Sequence, residues 1–195
     1  HSSDKYFASP LEEEIEWYLK SRDIQGRVKA PLWRTPNPPE EVDGQPVKFD
    51  PAAVDRALKV IGCLKHTKGR WAGKPLELAP TQVAYIIAPL FGWQVWSALA
   101  GRWIRLRRET FIEMPRKGAK STLASAIAMM MAFGDGEGGA EVIIGAASRD
   151  QAKACFQPIH DLATYSPLLQ KAGVKTVTNE IRQPRSSSVI RAVSS

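Results

Sequence analysis

The sequence predicts an α/β fold, a partial parallel sheet preceded by an N-terminal helical segment. Two observations carry this. From residue 110 onward, short apolar runs alternate with helical stretches in the order strand, helix, strand, helix, strand, which is the order of a parallel α/β sheet. Before residue 49 the chain holds one amphipathic helical pattern and then a proline-rich stretch with no periodicity.

Taken in order, Ser9-Pro10-Leu11-Glu12 is a helix opening, with a Ser cap, Pro at the first helical position and Glu three after the cap. Leu11, Ile15, Tyr18 and Leu19 give that helix one apolar face. Residues 23–50, with Pro31, Pro36, Pro38, Pro39 and Pro46, are expected as an extended arm or linker rather than a core element. Asp50-Pro51 opens a second helix with Val54, Leu58 and Ile61 on one side, and Pro80-Thr81 caps a third, apolar helix from Gln82. A strand is expected at 110–114, a helix at 121–133, a buried strand at 141–146 and a helix at about 150–165. Two further strand-like runs lie around 174–181 and 189–193. Met129, Met130 and Met131 belong to the helix that packs under the sheet; Trp71, Trp93 and Trp96 are expected as packing residues.

Composition narrows the function classes. The chain has 195 residues, 44% hydrophobic and 24% charged, a balance that supports one sizeable core. Its 27 basic and 20 acidic residues leave a net charge of +7, a mild bias toward an anionic partner. Cys63 and Cys155 stand far apart, and with His1, His66 and His160 they offer no metal-ligand spacing, so they read as free thiols in a reducing cytoplasm. No apolar run approaches the roughly 20 residues that span a bilayer, and the polar opening is not a signal peptide.

The chemistry is concentrated in ETFIEMPRKGAKSTLASAIAMMM. An expected strand runs into a tight basic loop, Pro115-Arg116-Lys117-Gly118-Ala119-Lys120, and then into a helix at Ser121-Thr122. A triphosphate needs many donors close together, and loop N–H groups plus a helix start supply them. A lysine just before that helix reaches the outer phosphates, and the following hydroxyl, Ser121, can ligate Mg²⁺. A P-loop NTPase type of sheet is expected, with a departure at both glycine positions. The pattern G-x-x-x-x-G-K-[ST] places glycine where this chain has Met114 and Ala119, so Gly118, one residue early, is expected to give the backbone its freedom. Basic-Gly-Lys-Ser strings also occur on solvated loops, and the strand before and apolar helix after are what favour the phosphate loop.

PRKGAKSTLASA resembles the variant phosphate loop of the large terminase subunits of tailed bacteriophages and prophages, whose loops typically read Arg-Lys-Asn-Gly-Lys-Ser/Thr. LAPTQVAYIIAPLFGW is similar to that family's segment ending in a glutamine and a Gly-Trp turn, EVIIGAASRDQAKACFQPI to its second strand and helix, and HTKGRWAGKPLELAP to its lead-in. The likeness covers residues 49–195. It implies an ATP-driven motor that pumps double-stranded DNA into a preformed capsid in the host cytoplasm. Portal protein, a small terminase subunit and a homo-oligomeric ring are the implied partners. It also implies the site. Lys120 and Ser121 hold phosphate and Mg²⁺, Arg116 stabilises the γ-phosphate in cis, and Gln82 reads the adenine edge. Lys117, Gly118, Ala119 and Thr122 complete the ATP-binding set, with Arg116 and Lys120 catalytic.

The domain division expected is residues 1–48 as helix and proline-rich arm, and 49–195 as the front of the ATPase domain, truncated before its acidic strand-end motif and without the nuclease domain. No apolar strand ends in Asp-Glu, so this piece alone is expected to be inactive as an ATPase. Bland readings stand beside the specific ones. Gln82 reads equally as a helix-start residue, and Arg116 and Lys117 as solvated charges. The run with Arg102, Arg105, Arg107 and Arg108 either contacts DNA phosphates or forms the polar side of a partly buried segment. Another DNA-translocating ATPase of helicase type and a non-catalytic interaction module with a vestigial loop are the alternative functions.

Overall fold

A computed structural model of the chain describes residues 12–115 and 118–194. It divides into two compact units. One holds the chain up to Asp55 together with Leu78–Ile112, the other Arg56–Glu77 and the chain from Glu113 onward.

In the first unit, α1 (Glu13–Ser21) buries Ile15, Tyr18 and Leu19 at i, i+3, i+4 spacing. Three glutamates in its first turn and Lys20 in its last suit the helix dipole. The expected opening at Ser9, Pro10 and Leu11 lies outside the described residues. Tyr18 donates to Asp55 Oδ1 (2.7 Å), which Arg22 also engages through Nε (3.0 Å). Arg22, then Tyr18, holds the Asp55 carboxyl below the usual carboxylate range. A depressed folded-state value means stability present above the unfolded value and lost as pH falls through the folded one. Asp55→Asn is therefore expected to lower Tm at pH 7, where the ionised carboxyl contributes in full, and to flatten the acid limb of a Tm-against-pH curve, drawing closer to wild type as pH falls below roughly 4.

The arm is only partly irregular. Strands β1 (Glu41–Val42) and β2 (Gln45–Phe49) form a hairpin. Its turn, Asp43-Gly44, has positive φ at both residues (52° and 70°), as a two-residue primed turn requires. The expectation of a linker through residue 50 is thus corrected: Pro46 sits in a strand, and β2 joins a sheet. Asp50 Oδ1 accepts from Ala52 N (3.0 Å) and caps α2 (Pro51–Gly62), as the sequence predicts.

The expected third helix is α3 (Pro80–Gln82), a π-turn (Val83–Ile87) and α4 (Ala88–Gly92) in unbroken succession. The chain then turns into β3 (Trp93–Ser97), which pairs antiparallel with β2 and with β4 (Arg102–Arg105), completing a sheet of order β1-β2-β3-β4. Gly92 is there because Phe49 passes it: a Cβ would run into the edge of the Phe49 ring. Phe49 in turn packs edge-on against Trp93 (5.3 Å) and Tyr18 (6.1 Å).

One carboxylate gathers this unit. Glu12 is 2% exposed, accepts from Trp93 Nε1 (2.6 Å) and Arg34 Nη1 (3.0 Å), and has Arg107 Nη2 at 3.6 Å. Arg34 also donates to Asn37 Oδ1 (2.7 Å) and Arg107 to the Pro36 carbonyl (3.2 Å), so the hub fixes the arm. Burial raises the Glu12 carboxyl, while the Trp93 hydrogen bond and the two guanidiniums oppose that rise.

The second unit carries α5 (Lys120–Phe133), β5 (Glu141–Ala146), α6 (Arg149–Tyr165), α7 (Pro167–Lys171), β6 (Lys175–Val177), β7 (Glu180–Gln183) and β8 (Ser188–Ser194). The sheet order is β5-β8-β7-β6. β5 and β8 run parallel, whereas β6–β7 and β7–β8 are antiparallel, so the described sheet is mixed and parallel in one ladder. The single run expected around 174–181 is a hairpin, broken between Val177 and Glu180. Helices α5 and α6 bury Leu123, Met129, Met130, Phe156, Ile159 and Leu162, with Ile181 and Ile190 from the sheet. Met129 and Met130 pack as expected, while Met131 is half-buried. No ladder forms at 110–114, where a strand was predicted. A strand exists only through a neighbour, and Phe111 instead lies 75% exposed, stacked on Trp33 at 6.0 Å and 18°.

Candidate phosphate-binding loop

The loop is built from the start of α5. Its N-cap, Ala119, has φ 59° and ψ 24°, the left-handed region. The first intrahelical hydrogen bond is Leu123 N to Ala119 O (2.9 Å), so the N–H groups of Lys120, Ser121 and Thr122 have no helical acceptor. No side chain caps them, and no acidic residue sits in the first turn. Lys120 and Ser121 are exposed. Three N–H donors without a hydrogen-bond partner among the described residues thus stand at the positive end of the helix dipole beside the exposed Lys120, which suits phosphate oxygens. For Mg²⁺ the same region offers the Ser121 hydroxyl, one ligand of about six, the usual share where phosphates and water supply others.

The expected division of labour in the loop is reversed. Gly118 does not have a positive φ; the left-handed residue is Ala119, where the standard pattern has glycine. Gly118 answers to space instead, because a Cβ would lie 3.1 Å from the Pro115 carbonyl oxygen, which also accepts from Gly118 N (3.2 Å). An L-residue with a Cβ in this region costs about 1–2 kcal/mol. Ala119→Gly is expected to raise the denaturant midpoint by the equivalent of about 0.5–1 kcal/mol and Ala119→Val to lower it, measured by urea unfolding. Arg116 and Lys117 lie outside the described residues.

Gln82 belongs to the first unit, where its Oε1 accepts from Ala79 N (2.9 Å). That is the reciprocal half of a capping box, without the other half because Ala79 has no side-chain acceptor. The arginine run splits. Arg102 and Arg108 are exposed, Arg105 lies over the Phe91 ring (5.7 Å), and Arg107 is committed to Glu12 and Pro36. Trp93 is buried as expected, but Trp71, expected in the packing, is 48% exposed. Sequence reasoning missed the Glu12 hub, whose partners Trp93 and Arg107 lie far along the chain. Among the described residues no three His, Cys, Asp or Glu side chains come together as a metal site. No helix among them is long and apolar enough to cross a membrane.

Residues 81–195 match the family model of the terminase large subunit, ATPase domain. The fold is similar to the crystal structure of the HK97 bacteriophage large terminase, with a TM-score of 0.56 and 21% identity. That match covers 72% of this chain and 27% of the other, so the chain spans about a quarter of the length of the terminase it resembles. No curated protein gives a significant match. Because that match takes in more than half of its residues, the chain belongs to the family of terminase large subunit ATPase domains.

Proposed function

We propose that the chain is the nucleotide-binding portion of an ATPase motor that drives double-stranded DNA into a phage capsid. The observation that carries this is the exposed Lys120-Ser121 pair at an uncapped helix start, preceded by a left-handed residue, within the segment that matches the family. Bound ATP·Mg²⁺ supplies the phosphoanhydride whose cleavage drives movement. The Lys120 ammonium would neutralise the outer phosphates, the α5 N–H groups would donate to their oxygens, and the Ser121 hydroxyl would supply one ligand to Mg²⁺. Arg116 is assigned to the γ-phosphate and Gln82 to the adenine edge on the resemblance of their motifs, and Lys117, Gly118, Ala119 and Thr122 to the loop that surrounds the phosphates. Portal protein, a small subunit and a homo-oligomeric ring in the host cytoplasm belong to the same reading.

Calorimetric titration tests it. ATP binding is expected to need Mg²⁺ and to weaken in Ser121→Ala; equal affinity with and without Mg²⁺ in both proteins would remove the metal role of Ser121. Turnover is expected to be no faster than in Lys120→Ala, because β5 and β8 end in Gly145-Ala146 and Val193-Ser194 and bring no acidic pair to orient water. A phosphate-release assay that detected Lys120-dependent hydrolysis would show a catalytic acid among these residues.

A further inference from the structure

We infer that the loop from Lys65 to Pro75 is a contact for the phosphate backbone of DNA, with Arg70 and Lys74 as phosphate ligands and Trp71 as the residue that positions them. The inference rests on the reading of DNA as partner and adds the place. From Arg56 to Leu76 the chain has six Lys or Arg residues and no Asp or Glu. The loop is closed on itself. Lys65 bridges Pro75, His66 N donates to Lys74 O (2.9 Å), and Gly73 N donates to His66 O (2.8 Å). A 3₁₀ turn spans Gly69–Trp71, Lys74 N donates to Trp71 O (2.9 Å), and the left-handed bends fall on Gly69 (φ 70°) and Gly73 (φ 82°).

Every residue from 68 to 75 is exposed, so the loop's order serves no core. The Trp71 indole is instead held by two cations, the Arg70 guanidinium 5.1 Å and Lys74 Nζ 4.9 Å from the ring. Neither cation has an ion-pair partner among the described residues; the acid on this side, Asp161, takes Lys68 (3.4 Å) and leaves that lysine's side chain 79% exposed. Long cationic side chains already ordered over a ring lose less rotamer freedom on binding. Ordered, solvated cations with no enclosing cavity suit a polyanion, whose counterions they displace, better than a small anion. A membrane surface is less well served, since Trp71 has no large apolar neighbour in the loop with which to enter lipid.

Fluorescence anisotropy on two unrelated duplexes, across a range of NaCl concentrations, tests this. Arg70→Ala/Lys74→Ala is expected to reduce the slope of log affinity against log salt by roughly 2, at about 0.9 for each phosphate no longer neutralised, equally on both duplexes. Lys171→Ala/Lys175→Ala removes the same charge from another exposed surface and should leave the slope unchanged. Trp71→Ala should weaken binding and Trp71→Phe restore most of it. Equal reductions of slope in the two double variants would overturn the placement, as would no reduction in either. Binding to phosphatidylserine vesicles that fell in Arg70→Ala/Lys74→Ala while DNA binding held would reassign the loop to membranes and overturn it too. Wild-type protein without salt-sensitive DNA binding would sink the DNA reading itself, and this inference with it.

Discussion

Lys120→Ala is expected to lose most of its ATP·Mg²⁺ affinity, by about 2–3 kcal/mol or roughly 30- to 150-fold in Kd, with an unchanged far-UV spectrum and Tm. Lys120 is exposed at the first position of α5, so truncating it removes no packed surface. What goes is a charge-assisted hydrogen bond to phosphate in a region where α5 offers N–H groups but no other described cation stands in the first turn. The change should fall on ATP and ADP with their β-phosphates, and much less on adenosine. Titration of the three ligands into both proteins checks it. Equal ATP affinity in mutant and wild type would end the phosphate-loop assignment.

The largest effect on stability is expected from Glu12→Ala, about 3–5 kcal/mol. The side chain is 3% exposed and neutralises Arg34 and Arg107, themselves only 12% and 15% exposed. Removing it leaves two guanidiniums facing one another away from water, and Trp93 Nε1 without an acceptor. Arg107 is already strained in this respect: its Nε is buried with no partner, and burial lowers its affinity for a proton. Glu12→Gln keeps the Trp93 acceptor but not the charge, and should recover only part of the loss. Chemical denaturation of the three proteins checks this. A loss below about 1 kcal/mol in Glu12→Ala would mean that water reaches the arginines and the hub is not buried in solution.

The two predictions differ in how far the sequence foretold them. The place of Lys120 at a helix start was legible because that signal is local: a loop, an apolar helical run and a hydroxyl in a few consecutive residues. The helix at 121–133, the strand at 141–146 and the helix that follows were legible for the same reason, since periodicity is a short-range signal. Glu12 was not, because its role depends on Trp93 and Arg107, and no local pattern pairs residues so far apart. Strands β3 and β4 were hidden differently: Trp93, Val95 and Ile104 lie within an apolar run that reads equally as helix. The β1–β2 turn was in plain view as Asp43-Gly44, but the surrounding prolines outweighed it. The left-handed bend was expected at Gly118 and falls on Ala119, because which of two adjacent residues takes it is a question of φ, which composition does not carry.

The first unit is discontinuous, and that shapes how it is made. Phe49 of β2 pairs with Trp93 of β3, 44 positions further along, and the 22 residues of Arg56–Glu77 intervene. At a synthesis rate of roughly 5–20 residues per second, β2 spends seconds outside the ribosome with Val47 and Phe49 unpaired. The β1–β2 turn can close in microseconds on its own, but a lone hairpin is marginal in water, so it waits as an exposed edge. Hydrophobic edge strands in waiting are where nascent chains associate wrongly. The hairpin's polar flanks, Glu40, Glu41 and Lys48, are thus placed where they keep that edge soluble until β3 arrives.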